Sequence, residues 1–230
     1  MKNWHTTLLI LLILVSCGKK NSNNSSKPDG SNHEPQTASG NYRAILQAIN
    51  PELDQNKSFG TATIHVVDDS ITIKLNLINA PSGIKHIQSI HQVGRCPNQS
   101  RDKNNDKVVD VLEGMVDFGK ILVPLDGDLA TQDAGLDYAP STNGSGAYSY
   151  HEDEVLSSLV ADLYTVDANP SDYIMKLKSD QKLDLAHASF VVLGVSNSTD
   201  VPATAATIHG LPAEATIPIA CGAIVKIATE

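Results

Sequence analysis

Short aliphatic segments separated by turn-forming residues recur along most of this chain, and they constrain its fold more than any other feature. Segment 71–77 alternates apolar and polar side chains, which is typical of a strand with one buried face. Turn-forming residues cluster between segments, as at 68–70 and 80–83. Short strands at this spacing predict an all-β protein, a Greek-key barrel or a sandwich. The predicted strands are 42–46, 61–67, 71–77, 87–93, 120–125, 190–195 and 217–227.

Two segments between these strands are less regular. In 152–164 the apolar residues fall at helical spacing, which favours a short helix, although a strand with flanking residues fits as well. Segment 133–150 is rich in glycine, serine, asparagine and alanine, which predicts an exposed loop.

The N-terminus carries a targeting signal. Lys2 is followed by an apolar run over 8–15, and small Ser16 precedes Cys17. This pattern resembles a bacterial lipobox, in which 1–16 is a signal peptide that is cut away before the lipidated cysteine. The apolar run is shorter than the roughly 20 residues that span a bilayer. An ordinary secretory signal or a short anchor helix is the alternative.

The chain then divides into a tether and a folded domain. Residues 17–41 contain the lipidated cysteine and a polar stretch that cannot form a core, so they predict a disordered tether. The predicted β domain covers 42–230. Gly18 stands where an aspartate would indicate retention at the inner membrane, which favours the outer membrane of a bacterial envelope, on its periplasmic or surface face.

Charge and cysteine content fit this location. The formal net charge of −9 argues against a nucleic-acid partner, so the predicted partner is the membrane, reached through the lipid on Cys17. The sequence does not indicate a protein partner. Cys96 and Cys221 remain after Cys17, and two thiols in an oxidising compartment suggest one disulfide; two buried free thiols are the alternative.

Three segments together resemble the Cu,Zn superoxide dismutase family. Segment 83–96 is similar to the family stretch Gly-x-His-Gly-Phe-His-x-His-Glu-x-Gly-x-Cys, and 219–224 to Leu-Ala-Cys-Gly-Val-Ile. Between them, 116–121 resembles Gly-Asp-Leu-Gly-Asn-Val. The resemblance covers about 42–227. It implies a Greek-key barrel of the dismutase type and a disulfide between Cys96 and Cys221.

The metal ligands of that family are mostly missing. His91 matches one copper histidine and Asp117 matches the carboxylate ligand of zinc, but Ser89 replaces a second copper histidine. No histidine lies between Cys96 and Asp117, where the bridging ligand belongs. One copper ligand of four cannot hold a redox metal, so we expect neither copper nor zinc and no dismutase activity.

Other histidines leave two alternatives open. Four of them could rebuild a copper site: His65, His151, His187 and His209. Metal capture or delivery could instead use His86, His91 and the histidine of the tether. Isolated histidines are more often structural or solvated.

Segment 102–113 fits the twelve-residue calcium loop of EF-hand type. Oxygen-bearing side chains occupy positions 1, 3, 5, 9 and 12, and the carbonyl of Val108 supplies position 7; the side chains are those of Asp102, Asn104, Asp106, Asp110 and Glu113. Lys107 replaces the glycine of position 6, which should weaken the site. We find no obvious pair of flanking helices, so the pattern predicts a calcium loop grafted on a β scaffold. A solvated acidic loop is the alternative.

The sequence therefore predicts a lipid-anchored, non-enzymatic envelope or surface protein with a dismutase-like barrel and a calcium-binding loop. The alternative is a metal-dependent superoxide dismutase with a residual or rebuilt copper site.

Overall fold

The computed structural model describes residues 39–53, 58–130, 141–165, 172–196 and 198–228. The predicted signal peptide and nearly all of the predicted tether, with Cys17, lie outside the described residues. Within these ranges the chain forms nine strands and three α-helices. The strands are β1 Gly40–Ala48, β2 Phe59–Val67, β3 Ser70–Ile78, β4 Gln88–His91, β5 Ile121–Pro124, β6 Tyr148–Val155, β7 Ser189–Leu193, β8 Pro218–Ala223 and β9 Val225–Ile227.

All nine strands join one curled antiparallel sheet. Eight of them follow the order β5-β4-β7-β8-β1-β2-β3-β6, and β9 is a third partner of β1, beside β8 and β2. The connections from β3 to β4, from β5 to β6 and from β6 to β7 cross between the two halves, so the topology is a Greek key. The predicted all-β Greek-key fold is confirmed.

Strand β1 joins the two halves of the sheet. Its residues 40–46 pair with β2, whereas Gln47 and Ala48 at its end pair with Cys221 and Ala220 of β8. The pairing partner on one edge of β1 therefore differs from that at its end, and this strand connects the two halves. The disulfide lies beside this junction, because Cys221 pairs with Gln47 of β1.

The alternation in sequence produces the core directly. In β3, Ile71, Ile73, Leu75 and Leu77 are fully buried while the residues between them face solvent. Each such side chain contributes roughly 1.5–3 kcal/mol when it leaves water. Strands β4, β5 and β7 are buried along their whole length because both of their faces are covered.

A second apolar cluster lies beside the disulfide. It joins Ile49, which follows β1, and side chains of β7 and β8 to the segment 109–118, and Phe118 is its largest fully buried side chain. This cluster attaches the long connection between β4 and β5 to the sheet.

The three helices are α1 Val111–Phe118, α2 Leu156–Tyr164 and α3 Ala213–Thr216. The ambiguous segment 152–164 contains both predicted structures, because β6 runs to Val155 and α2 begins at the next residue. Four apolar side chains of α2 are buried: Leu156, Leu159, Val160 and Leu163. No helix in the described ranges is long and apolar enough to cross a bilayer.

The predicted loop 133–150 was partly wrong. Residues 131–140 lie outside the described residues, but Tyr148 begins β6 and pairs with Leu77 of β3. Tyr148 is buried, and its hydroxyl donates a hydrogen bond to Gln88. The long connection therefore ends three residues earlier than composition suggests.

We expect Gly222→Ala to destabilise the fold, because β1 passes too close to β8 for a side chain. A Cβ at Gly222 would lie 2.6 Å from the carbonyl oxygen of Ile45. Overpacking of this kind costs roughly 1–3 kcal/mol. Chemical denaturation measures the free energy of unfolding.

Gly127→Ala is the matched control, since a Cβ there meets nothing within 4 Å. We expect it to change stability by less than about 0.5 kcal/mol. Equal effects of the two substitutions would contradict the close approach of β1 and β8.

Candidate metal centre

The loop 102–113 lies between the disulfide and α1. A 3₁₀ turn over Gln99–Arg101 leads into it, and α1 begins at Val111 while the loop is still completing its last three positions. The sequence predicts no obvious pair of flanking helices. The structure corrects this in part, because a helix does leave the loop, whereas only a single 3₁₀ turn enters it.

The first half of the loop folds around its own side-chain oxygens. The two oxygens of Asp102 accept hydrogen bonds from the backbone N–H groups of Asp106 and Lys107, at 3.1 and 2.8 Å. Oδ1 of Asn104 also accepts from Asp106 N–H, at 3.0 Å, and Oδ1 of Asp106 accepts from Val108 N–H, at 2.9 Å. These turns hold the oxygen-bearing side chains of positions 1, 3 and 5 against the backbone of the loop.

The second half closes the loop onto its beginning. Oε1 of Glu113 accepts from the backbone N–H of Lys103 at 2.7 Å, and Oε2 accepts from that of Asp110 at 3.1 Å. Asp110 in turn caps α1 through the N–H groups of Leu112 and Glu113, so the two acids form a reciprocal capping box. Position 12 is thereby held beside position 2, which makes the loop compact.

Lys107 takes the backbone conformation for which glycine is preferred. Its φ is +75°, and that of Asn105 is +60°. The left-handed conformation costs a residue other than glycine roughly 1–2 kcal/mol. The sharp turn at position 6 therefore forms despite the substitution, at a local cost in strain.

A distant segment contacts the same carboxylates. Thr204 Oγ1 donates a hydrogen bond to Asp106 Oδ2 at 2.6 Å, and the backbone N–H of Ala206 donates to Asp110 Oδ2 at 2.8 Å. The side chain of Asn50 forms hydrogen bonds with the backbone N–H and C=O of Val109. Motif analysis missed these three residues, because nothing in their local sequence distinguishes them from ordinary polar or small residues.

Across the described ranges, no three His, Cys, Asp or Glu side chains lie together as a metal-binding group. In the loop the carboxylates point at backbone N–H groups and not at one common point. Each ionised carboxylate has about four lone-pair sites, however, so the observed hydrogen bonds leave acceptor capacity on every one of them.

The predicted disulfide is present. Cys96 and Cys221 are bonded across 125 residues of sequence and tie the segment before the loop to β8. A bridge that closes so long a loop restricts the unfolded chain, a contribution of about 4–5 kcal/mol in the chain-entropy model.

The two dismutase-type positions are already engaged in other contacts. His91 is fully buried, with Nδ1 2.8 Å from the carbonyl oxygen of Gly119 and Nε2 2.9 Å from Ser89 Oγ. The neutral ring donates from Nδ1 and accepts at Nε2, so neither nitrogen is left for a metal. Burial lowers the pKa of His91 to about 4, which keeps the ring neutral.

Asp117 is neutralised by arginine. Arg101 donates two hydrogen bonds to its carboxylate, at 2.5 and 2.6 Å, and Arg95 lies 3.8 Å away. The Arg101 guanidinium holds the pKa of Asp117 below its usual range. This ion pair links the 3₁₀ turn before the loop to the end of α1, and it occupies both carboxylate oxygens.

The remaining histidines are dispersed over the domain. On the outer face of the sheet, His65 contacts Asn41 and His151 contacts Asp153. Elsewhere, exposed His187 pairs with Asp184, and His209 packs edge-on against Tyr173. Each of the four has a different neighbour, and buried His86 contacts the carbonyl oxygens of Leu193 and Pro81.

Similarity to known proteins is found among solved structures. No family model matches the chain, and no curated protein matches it. A crystal structure described as a double mutant of a SOD-like protein from Bacillus subtilis is similar at 15% sequence identity, with a TM-score of 0.41. The match covers 80% of this chain and 96% of that chain. A likeness of this size supports no statement about function.

The buried neutral state of His91 predicts a pH dependence of stability. Its pKa is about 4 in the folded protein and about 6.5 in the unfolded chain, so between these values the unfolded chain binds more protons. We expect the free energy of unfolding to fall, by up to roughly 3 kcal/mol, as the pH drops from 6.5 to 4. Denaturation at a series of pH values measures it.

His91→Gln should flatten the curve in this window, since glutamine has an amide donor and an acceptor but does not titrate. Exposed His187→Gln is the control, and it should leave the slope unchanged. Equal slopes for wild type and His91→Gln would show that His91 is not the group responsible.

Proposed function

We propose that this chain is a lipid-anchored, non-enzymatic envelope protein, with 1–16 as a signal peptide, 17–41 as a tether and 42–230 as a dismutase-like β domain that binds calcium. The observation that carries the calcium proposal is the folded form of the loop. Its five oxygen-bearing side chains stand at positions 1, 3, 5, 9 and 12 and are oriented by backbone N–H groups. The anchor rests on the sequence around Cys17.

Calcium suits this donor set better than a transition metal does. It is a hard ion that takes six to eight oxygen ligands at about 2.3–2.6 Å, including bidentate glutamate and backbone carbonyl groups. At its ligand positions, loop 102–113 offers four carboxylates, one amide oxygen and the Val108 carbonyl, and the loop has no sulfur or imidazole. Copper and zinc prefer the nitrogen and sulfur donors that this loop lacks.

The hydrogen bonds of the loop support cation binding. Carboxylates crowded on one short loop repel each other unless a cation or hydrogen-bond donors compensate their charge. The N–H groups compensate it in part and fix each carboxylate orientation, as outer hydrogen bonds do for metal ligands elsewhere. Calcium then needs only the remaining lone pairs, and Glu113 is free to exchange its N–H contacts for bidentate coordination.

The geometry around His91 and Asp117 argues for a non-enzymatic role. A dismutase requires a redox metal held by imidazoles, whereas both ring nitrogens of His91 and both oxygens of Asp117 are engaged within the protein. We infer that these residues were retained for packing and for an ion pair. The domain acts by binding or as a structural element, stabilised in its long connection by calcium.

Calcium should raise the thermal stability of the domain. For an extracellular calcium module with a Kd of about 10⁻⁴ M, 10 mM calcium adds roughly 2.7 kcal/mol. For a domain of this size, that corresponds to a rise in Tm of about 5–10 °C. Glu113→Gln should lose most of this rise because the bidentate ligand is gone, and melting curves with calcium and with chelator measure it.

Glu154→Gln, on β6, is the matched charge control and should retain the full response. Copper added in place of calcium should leave the Tm unchanged. An unchanged Tm of wild type at millimolar calcium would contradict the proposal, and copper bound near one per chain together with superoxide-dependent activity would favour the dismutase.

Lipid attachment at Cys17 is tested separately. In a bacterial host supplied with an alkyne fatty acid, the full chain should become labelled and partition into the membrane fraction. Cys17→Ser should abolish both, because the thiol is the acceptor. Ser16→Ala keeps a small residue before the cut and should stay labelled. Labelling of Cys17→Ser would show that the anchor lies elsewhere.

A further inference from the structure

Asn50 follows the end of β1 and is 1% exposed, yet its side chain makes three hydrogen bonds. Oδ1 accepts from the backbone N–H of Val109 at 2.8 Å. Nδ2 donates to the carbonyl oxygens of Val109, at 3.0 Å, and of Pro218, at 2.8 Å. The carboxamide therefore forms hydrogen bonds with the calcium loop and with β8 at the same time.

The contact with Val109 satisfies both backbone groups of a single loop residue. A neighbouring strand does the same in an antiparallel pair, where two facing residues exchange both of their hydrogen bonds. Here one side-chain amide supplies the donor and the acceptor. Val109 is fully buried in the cluster beside the disulfide, so its backbone cannot turn to water instead.

Val109 stands between two of the proposed ligands. The carbonyl of Val108 precedes it, and the carboxylate of Asp110 follows it. Fixing the two backbone groups of Val109 therefore fixes the peptide planes on both sides, which set the direction of that carbonyl and the origin of that side chain.

We propose that Asn50 is a positioning residue for the calcium site, and that it joins the site to the junction of β1 and β8. This inference rests on the calcium loop proposed above. Asn50 forms its side-chain hydrogen bonds with Val109 and Pro218, neither of which is a proposed ligand. It holds positions 7 and 9 of the loop in the orientation that a cation needs, so that less of the binding free energy goes into ordering them.

The chemistry of the site selects asparagine. Aspartate would keep the acceptor but lose both donors and place a charge in a buried site. Alanine would leave the N–H and C=O of Val109 and the carbonyl of Pro218 without this partner. Serine would keep one short hydroxyl that can serve only part of the set.

The test is a calorimetric calcium titration of the full chain as wild type, Asn50→Ala, Asn50→Ser and Thr142→Val. Thr142 is also a buried polar residue that bonds to backbone, at Pro81 and Gly83, away from the loop. Thr142→Val therefore removes buried hydrogen bonds, as Asn50→Ala does, but it leaves the contacts of the calcium loop unchanged. We expect Asn50→Ala to weaken calcium binding by about tenfold or more, as removal of outer-shell partners does.

Asn50→Ser should fall between Asn50→Ala and wild type, and it serves as the readout if Asn50→Ala does not fold. Thr142→Val should lower the Tm but keep the calcium affinity of wild type within about twofold. A wild type that binds calcium while the Asn50 variants bind equally well would overturn the positioning role and leave the calcium loop standing. A wild type that binds no calcium would overturn both.

Discussion

The change of pairing partner within β1 is the constraint on which the rest of this structure depends. One strand pairs with β2 and β9 through its first residues and with β8 through its last two. This arrangement requires the backbones of β1 and β8 to approach so closely that only glycine fits at Gly222. It also brings Cys221 and the carbonyl of Pro218 to the place where the long connection from β4 must be attached.

The connection between β4 and β5 contains no strand, and a few specific contacts attach it to the sheet. The disulfide fixes its beginning, Asn50 fixes its middle, and the ion pair between Arg101 and Asp117 joins the turn before the loop to the end of α1. Between these points the backbone N–H groups bond mainly to carboxylates. Such a loop is folded but carries unbalanced negative charge, which explains why a hard cation would stabilise it without any large rearrangement.

The sequence predicts most reliably those elements whose pattern has a single physical cause. Strand β3 was predicted nearly to its ends because alternation with a period of two arises only when one face is buried. The loop 102–113 was recognisable because its oxygen donors are neighbours in sequence. The sequence does not predict where α2 begins, because Val155 and Leu156 satisfy both a strand and a helix pattern. The composition around Tyr148 predicts a loop there, although this residue begins β6.

Residues that act across long sequence distances could not be found from the chain alone. Asn50 lies 59 residues from Val109, and Thr204 lies 98 residues from Asp106. Their roles exist only because the Greek key brings these segments together. His91 shows the converse case, in which a motif indicates a metal ligand that the structure does not provide. Both of its ring nitrogens form hydrogen bonds within the core.

A crystal structure of the protein grown with millimolar calcium tests the central claim most directly. The account predicts one ion in loop 102–113, with six to eight oxygens at about 2.3–2.6 Å, including both oxygens of Glu113 and the carbonyl of Val108. A loop that keeps the Glu113 contacts to backbone N–H groups and contains only water under those conditions would contradict it.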